Sequence, residues 1–378
     1  MSPAREEDCL NLEGRRMKMG TCQGKRGEVG RGELRVATDT EVGPIAIPIV
    51  IAQGREDGKR MFLSAGVHGD ELNGIEILQR FIQGLDVAAL RGTVIFLPLV
   101  NVAGFEAGQR TVPYDGRDLN RCFPGDADGT VSAQIAHTIF EEVVSRCDFG
   151  IDIHDSGKGS VLLPHPRAHI KDGVGGYDRA RMEAIAAFGT DIIMLCEGMD
   201  GVMTIEAGRR LGIPAFTVEV GGAMILWERF IQRALVGLRN VLIHQGMMDG
   251  SMVLPHQQFV IPGEDDISLK ASMDGILYRK TDLGKAVHKG ETLAELYNPV
   301  TTDRQVIRAS QCGVVHDLNV HARVKTGEDV VGVLEFATCP ERGRKPSTAN
   351  VETLVNAPSG RVRLRRSEVF DEALMLRI

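Results

Sequence analysis

Residues 61 to 76 read MFLSAGVHGDELNGIE. An apolar run, Met61 to Val67, meets His68-Gly69-Asp70-Glu71, after which Leu72, Ile75, Leu78 and Phe81 recur at helical spacing. That spacing predicts a buried strand turning directly into an amphipathic helix. The junction constrains the fold strongly, because it demands a sheet with a helix packed on it. It also sets an imidazole and a carboxylate three residues apart at the turn, where both can aim at one point. His and Glu are ligand types of catalytic zinc, which takes three protein ligands and leaves a fourth position for water. Taken alone, H-x-x-E is a weak signal, and the plainer reading is a polar first turn, with Asp70 and Glu71 favoured by the positive helix N-terminus. Gly69 is expected to let the backbone turn without a Cβ penalty.

The rest of the chain repeats the alternation. Thr93 to Val100, Phe149 to Ile153, Asp191 to Cys196 and Ala215 to Val220 read as strands. Ser132 to Val144, Tyr177 to Phe188, Met203 to Leu211 and Ala223 to Gln245 read as helices. Shorter β runs precede them at Glu33 to Ala37 and Ile45 to Ala52, with Pro48 marking an edge or a bend. Such alternation predicts an α/β fold with a mixed, largely parallel sheet flanked by helices. Ligands of such sheets gather at the carboxyl ends of strands. His68, Asn101, His154 and Glu219 all fall at or just past expected strand ends.

Residues 101 to 130 are expected to form a long functional loop. It carries Arg110, Arg117, Asp118, Asn120 and Arg121. A guanidinium fork matches a carboxylate; the plainer reading is a solvated basic loop. His165 and His169 are rival ligands, ranked behind His154 because Pro164 and Pro166 place them in a loop. Glu219 stands between apolar residues and is backed by Gly221-Gly222. It is either a proton shuttle or an acid near the start of the next helix.

At 378 residues, the chain exceeds the ~250–300 at which single cores stop growing, so two domains are expected. A net charge of −7 and the lack of a long basic run argue against nucleic-acid binding. No apolar run is long enough to span a bilayer. The opening MSPAREEDCL lacks a signal-peptide pattern. A cytoplasmic protein is expected, with its seven scattered cysteines reduced. After residue 250 short Gly-punctuated β runs take over. ASMDGIL (271–277) matches ASQCGVV (309–315), and VHKGE (287–291) matches VKTGE (324–328). A unit used twice suggests two interlocked β half-motifs, similar to biotinyl/lipoyl-like barrel-sandwich domains. Neither half has a turn lysine preceded by Met or Asp to carry a swinging cofactor. A structural or oligomerising β lid is the expected role.

Four motifs stand in order: HGDE (68–71); D-L-N-R-x-F-P-G, from Asp118 to Arg121 with Phe123, Pro124 and Gly125; D-x-H, Asp152 and His154; and T-V-E-x-G-G, Thr217 to Glu219 with Gly221 and Gly222. Together they resemble the bacterial branch of the succinylglutamate desuccinylase/aspartoacylase family, within the wider zinc carboxypeptidase-like group, over residues 20 to 335. The resemblance implies a zinc carboxypeptidase-like fold with one Zn²⁺ per chain on His68, Glu71 and His154. It implies Glu219 as general base and acid, and Asn120 and Arg121 as holders of a substrate carboxylate. Arg110 would polarise the scissile carbonyl, with Arg117 as the alternative, and Asp118 would orient His68.

The implied activity is a zinc-dependent amidohydrolase acting on linear amides: a deacylase of a small N-acyl amino acid or related amide. A metallocarboxypeptidase-like peptidase shares the same clamp chemistry. A non-catalytic binding module is the third reading, against which neither a ligand nor the base is missing. The implied partner is a small N-acylated molecule, with no nucleic acid and no membrane; homo-oligomerisation stays open. Where many relatives read H-S-G-G, this chain has His154-Asp155-Ser156-Gly157-Lys158-Gly159, which leaves the acyl group and the amine open. The expected division is a polar, frayed segment 1–31, a zinc hydrolase domain 32–250, a β domain 251–340 and a C-terminal extension 341–378.

Overall fold

The computed structural model describes residues 17–36, 44–169, 176–256, 258–263 and 266–335. The expected C-terminal extension, with its turn at Asn356 to Gly360, lies outside the described residues. In chain order the strands are β1 (Met17–Met19), β2 (Cys22–Gly24), β3 (Glu28–Val36), β4 (Ile45–Gln53), β5 (Glu56–Ala65), β6 (Arg91–Leu97), β7 (Phe149–His154), β8 (Ser160–His169), β9 (Ile192–Cys196) and β10 (Ala215–Gly222). The C-terminal region adds β11 (Phe259–Pro262), β12 (Asp266–Lys270), β13 (Gly275–Arg279), β14 (Ala286–Val287), β15 (Thr292–Tyr297), β16 (Arg304–Arg308), β17 (Gly313–Asn319), β18 (Arg323–Val324) and β19 (Asp329–Glu335). The helices are α1 (Leu72–Gly84), α2 (Val102–Ala107), α3 (Val131–Glu142), α4 (Gly176–Phe188), α5 (Met203–Leu211) and α6 (Glu228–His244).

The fold is mixed α/β, with an all-β C-terminal region. Its main sheet runs β12-β19-β17-β8-β10-β7-β5-β6-β4-β3, with β9, β11 and β14 attached off that path. The centre, β6-β5-β7-β10, is parallel. Antiparallel strands extend it on both sides. Side chains alternate along β5: Met61, Leu63 and Ala65 join one buried cluster and Phe62 the other. The first cluster takes Ile77, Leu78 and Phe81 of α1 together with Phe230, Leu238 and Val241 of α6. The second takes Ile135, Ile139 and Phe140 of α3 with Met203 and Ala207 of α5. Each such side chain contributes about 1.5–3 kcal/mol by leaving water. Helices on both faces therefore fix the central strands, and with them the strand ends that carry the site.

Several elements differ from the sequence expectation. LLPHPRAH is strand β8, not loop: Val161, Leu162, Leu163 and Ala168 are buried, and β10 and β17 pair with it antiparallel. Tertiary pairing overrides the two prolines. Residues 101 to 130 contain helix α2 and a 3₁₀ turn, Leu119–Arg121. The Asn101 side chain caps α2 by accepting from the Gly104 N–H at 2.9 Å, so its strand-end position serves a helix. Helix α6 begins at Glu228, because Ala223 and Met224 have φ of 64° and 52°, which no α-helix accommodates. β1, β2 and the start of β3 occupy part of the stretch expected to be frayed.

The C-terminal repeat is a reciprocal exchange. Val287 pairs with Gly313 of the other half, and Val324 with Gly275. The flanking bonds match too. Gly290 N–H donates to Ala309 O at 2.8 Å, and Gly327 N–H donates to Ala271 O at 2.8 Å. The region is also continuous with the catalytic sheet, since Asp317, Leu318 and Asn319 of β17 pair with Leu162, Val161 and Ser160 of β8. Among the described residues no helix is long and apolar enough to cross a membrane. Cys22, Cys122, Cys147 and Cys196 are free thiols. Cys312 is disulfide-bonded, which corrects the expectation of a wholly reduced set.

Candidate active site

His68 and Glu71 lie between the end of β5 and the start of α1. Glu71 is the residue before the first helical position, yet its side chain makes no capping bond. Its carboxylate points to the histidines instead. Gly69 is required by close approach: a Cβ there would stand 2.0 Å from the Gly104 carbonyl carbon and 2.2 Å from the Phe105 nitrogen. The expected turn penalty is thus replaced by a contact with α2. His154 ends β7, two residues after Asp152. In a strand, residues two apart share a face, so Asp152 Oδ2 reaches His154 Nε2 at 2.7 Å. Ser64 of β5 stands beside Asp152 in register and donates to its Oδ1 at 2.8 Å.

The three side chains converge. His68 Nδ1 is 2.6 Å from Glu71 Oε1, His154 Nδ1 is 2.8 Å from Glu71 Oε2, and the two Nδ1 atoms are 3.2 Å apart. All three residues are buried, Glu71 to 1% exposure, and their ligand atoms lie within 4.8 Å of one another. Each Nε2 faces a carboxylate: Asp118 Oδ1 at 3.0 Å for His68 and Asp152 Oδ2 at 2.7 Å for His154. A carboxylate only accepts, so a neutral ring that gives its proton to the carboxylate behind Nε2 leaves the Nδ1 lone pair facing Glu71. Two lone pairs and a carboxylate directed at one point repel unless a proton or a cation lies between them. Two imidazoles and one carboxylate with carboxylates behind the rings form a donor set that suits zinc.

The charges agree. Burial pushes the His68 imidazolium down, but the charge of Glu71 and the bonds to Asp118 and Glu71 outweigh it and raise the pKa. His154 is raised well above its ordinary value against the same burial, by Asp152 and Glu71. Burial pushes Glu71 up, and the two histidines more than reverse it. The site thus favours positive charge facing Glu71, which a metal cation would supply.

The remaining candidates surround a cavity of about 300 Å³ lined by all three ligand residues. Arg110 reaches Glu71 Oε1 at 3.2 Å and Asp118 Oδ2 at 3.1 Å, with its side chain 45% exposed. Arg110 lines the cavity and Arg117 is not in the lining. Asn120 is buried, its Oδ1 accepting from the Met203 N–H at 3.0 Å and its Nδ2 3.3 Å from His154 Nε2. Arg121 lines the cavity and donates to the Asn120 carbonyl at 2.7 Å. Glu219 lines it from β10, beside His154 in register. A register shift between Glu219 and Gly221 interrupts the pairing of β10 with β8 there, a device that re-aims side chains next to active sites. His165 and His169 lie outside the ligand group.

Asp155 also lines the cavity. Its carboxylate accepts from Asn73 at 2.8 Å and from the Gly157 N–H at 2.8 Å, while its own N–H donates to Glu71 Oε2 at 3.2 Å. The backbone at 155 thus secures Glu71, while the Asp155 side chain fixes the loop. Burial, and then the charge of Glu71, push the Asp155 carboxyl up to about 7. The same loop is held from the C-terminal region, where His321 Nε2 reaches Lys158 O at 2.9 Å.

Sequence reasoning missed Arg167, Asp266, His316 and Asp317, all of which line the cavity. Arg167 Nε stands 3.3 Å from Glu219 Oε1. Its place opposite β10 depends on β8 being a strand, and the other three depend on the C-terminal region reaching β8. Neither carries a local sequence signal.

The fold and site define an α/β scaffold with a buried His-Glu-His group that could hold a metal ion beside its strand ends. The chain belongs to the succinylglutamate desuccinylase/aspartoacylase family: residues 57–245 match the catalytic domain of that name. It is 29% identical over 309 residues to the N-alpha-acetyl-L-2,4-diaminobutyric acid deacetylase of Halomonas elongata, covering 80% of this chain and 90% of that protein. It is 25% identical over 249 residues to the succinylglutamate desuccinylase of Ectopseudomonas mendocina, covering 61% and 72%. Among solved structures, a succinylglutamate desuccinylase from Silicibacter superposes with a TM-score of 0.75 at 29% identity, covering 84% of this chain and 100% of that one. The product-bound ectoine utilization protein EutE of Ruegeria pomeroyi superposes at 0.72 and 29% identity, covering 81% and 95%. The family is one of deacylases.

Proposed function

We propose that the chain is a zinc-dependent deacylase that hydrolyses the amide of a small N-acyl amino acid, with one zinc ion held by His68, Glu71 and His154. The observation that carries the reading is the 3.2 Å approach of two imidazole Nδ1 atoms over one buried carboxylate. The Halomonas relative is named for removing an acetyl group from an N-alpha-acetyl amino acid, and the Ectopseudomonas relative for removing a succinyl group. Zinc in such a site lowers the pKa of a bound water towards about 7 and polarises a carbonyl.

The chain's own residues do the rest. Glu219 takes a proton from the attacking water as its oxygen bonds to the amide carbon. The C–N bond then breaks, and Glu219 gives that proton to the leaving nitrogen. Arg110, fixed by Glu71 and Asp118, offers positive charge to the developing oxyanion. Arg121 takes the substrate carboxylate with its planar donor fork, and Asn120 borders the same cavity.

The test is amine release from a panel of N-acetyl and N-succinyl amino acids, with the zinc content of each preparation measured. Glu219→Gln is expected to retain one equivalent of zinc and lose activity by about 10²-fold or more. Full activity in that variant removes Glu219 as the base. Failure of the native chain to bind zinc overturns the reading as a whole.

A further inference from the structure

The C-terminal strands reach the cavity at a wall that the reaction above does not use. Asp266, His316 and Asp317 line it there. One irregularity brings the last two in together. β17 pairs with β19 as Val315 with Val333 and then Asp317 with Gly332, so His316 is an extra residue in its strand. A bulge of this kind breaks the alternation that would send neighbours to opposite faces. Gly332 makes room for it. A Cβ at 332 would lie 2.8 Å from Asp317 Cβ and 2.9 Å from His316 Nε2.

The hydrogen bonding of this wall is unbalanced. His316 Nε2 lies 2.6 Å from Asp266 Oδ1, so Nε2 carries the proton and Nδ1 presents a lone pair. His316 is 2% exposed, and its Nδ1 has no partner among the described residues. Asp317 is bonded by Ser160, but its Oδ1 is buried with no partner among the described residues. The His165 ring stands edge-on to His316 at 6.2 Å. His165 Nδ1 donates to Leu163 O at 2.7 Å, so its Nε2 is also a buried acceptor with no partner among the described residues, but it lies outside the cavity lining. Buried acceptors are rarely left without a donor.

The charges lean the same way. Arg167 stands 3.3 Å from Glu219 and lies in the field of Asp266, although its buried Nε makes no hydrogen bond among the described residues. Against that one guanidinium stand Glu219, Asp266 and Asp317. Burial raises the Asp317 carboxyl above its ordinary range, with the Ser160 bond acting in the opposite direction.

We propose that Asp317, with His316 and Asp266, forms a subsite for an ammonium group on the side chain of the substrate's amino-acid moiety. The proposal rests on the reading of the substrate as an N-acyl amino acid. An ammonium brings three N–H donors to the open acceptors of His316 and Asp317. A side-chain carboxylate would instead add to three carboxylates already there. The C-terminal region then selects the amine, while the metal end of the cavity cuts the amide.

The test uses the full chain loaded with zinc. Substrates are the Nα-acetyl derivatives of 2,4-diaminobutyrate, ornithine and lysine, which vary the reach of the ammonium, with Nα-acetylnorvaline as the neutral comparison and Nα-acetylglutamate as the acidic one. The best cationic substrate is expected to exceed norvaline in kcat/KM by about tenfold or more, the range of a hydrogen bond to a charged group, with glutamate last. Asp317→Asn should remove that preference through KM while leaving Nα-acetylnorvaline within about twofold, and Asp266→Asn should weaken it. A native preference for norvaline or glutamate overturns the subsite. So does equal loss on cationic and neutral substrates in Asp317→Asn.

Calorimetric binding of free ornithine, 2,4-diaminobutyrate and norvaline separates the two readings. If nothing is hydrolysed but the diamino acids bind more tightly to the native chain than to Asp317→Asn, the deacylase reading fails and the subsite stands. If these amino acids bind equally to both, the subsite fails whatever the turnover.

Discussion

His68 and His154 present their Nδ1 atoms to each other at 3.2 Å, and each turns its Nε2 to a carboxylate. The rings are thereby fixed in one tautomer from outside the ligand set. Asp152 is fully buried and itself held by Ser64. Asp152→Asn keeps the shape but loses the charge that holds His154. Zinc affinity is expected to fall by about 10–100-fold, read by competition with a chromophoric chelator. Unchanged affinity would show that His154 needs no carboxylate behind it.

The resemblance ranks Arg110 ahead of Arg117, and the two also differ in space. Arg110 spans Glu71 and Asp118 at the cavity, and Arg117 is outside its lining. Arg110→Ala is expected to cost about 10²–10³ in kcat, the range for removing one oxyanion donor. Arg117→Ala should stay within about threefold in the same assay. The reverse order would move the oxyanion role to Arg117.

Gly69 touches α2 so closely that any side chain must push it away. Gly69→Ala is expected to destabilise the chain by about 1–3 kcal/mol through overpacking, and to weaken zinc binding because His68 and Glu71 flank it. Gly84 is the control, since a Cβ there meets nothing within 4 Å. Gly84→Ala should be neutral or stabilising by up to about 1 kcal/mol. Thermal melts of the two variants decide the matter.

The buried imidazoles of β8 set an acid limit on stability. Burial drives His169 down to about 4 and His165 well below its ordinary value, with the charge of Arg167 adding to both. Unfolded, each would titrate near 6.5. Between those values the unfolded chain binds more protons than the folded one. Their contribution to stability is therefore full above about 6.5 and is lost as the pH falls towards 4. Asp155, raised to about 7, acts in the opposite direction over the same window, so the drop due to the histidines is read as the difference in urea midpoint between the metal-free chain and a variant. His165→Asn keeps a donor for Leu163 O and should make the drop shallower. Parallel curves for the native chain and the variant would exclude His165 from the effect.

What the sequence disclosed follows from range. His68, Glu71 and His154 were legible because strand ends of an α/β sheet face one side, His68 and His154 each follow an apolar run, and Glu71 stands three residues after His68. The repeat was legible because paired positions carry matching residues, with Val287 against Gly313 and Val324 against Gly275. Strand β8 was not, because Pro164 and Pro166 suppress the local signal and only its neighbours on both sides restore it. Asp317 was hidden further, since its direction depends on a bulge opposite Gly332 and on β17 reaching β8. Asn101 misled for the opposite reason: a strand-end polar residue was a local helix cap.

The last prediction concerns whether the C-terminal region can be removed. The sequence suggested a boundary near residue 250, yet β17 pairs with β8 and β11 pairs with β9. Val161 and Leu163 of β8 and Ile192 and Ile193 of β9 belong to the same buried cluster as Val314, Val331 and Leu334. Ending the chain after residue 250 would strip both strands of a partner and bare that cluster. Open apolar edges of this kind template aggregation. The shortened chain is expected to be insoluble or to lose its cooperative melt, even with the metal ligands and Glu219 intact. A soluble chain with native-like cooperative unfolding would establish 32–250 as an independent domain and reduce the β8–β17 pairing to a surface contact.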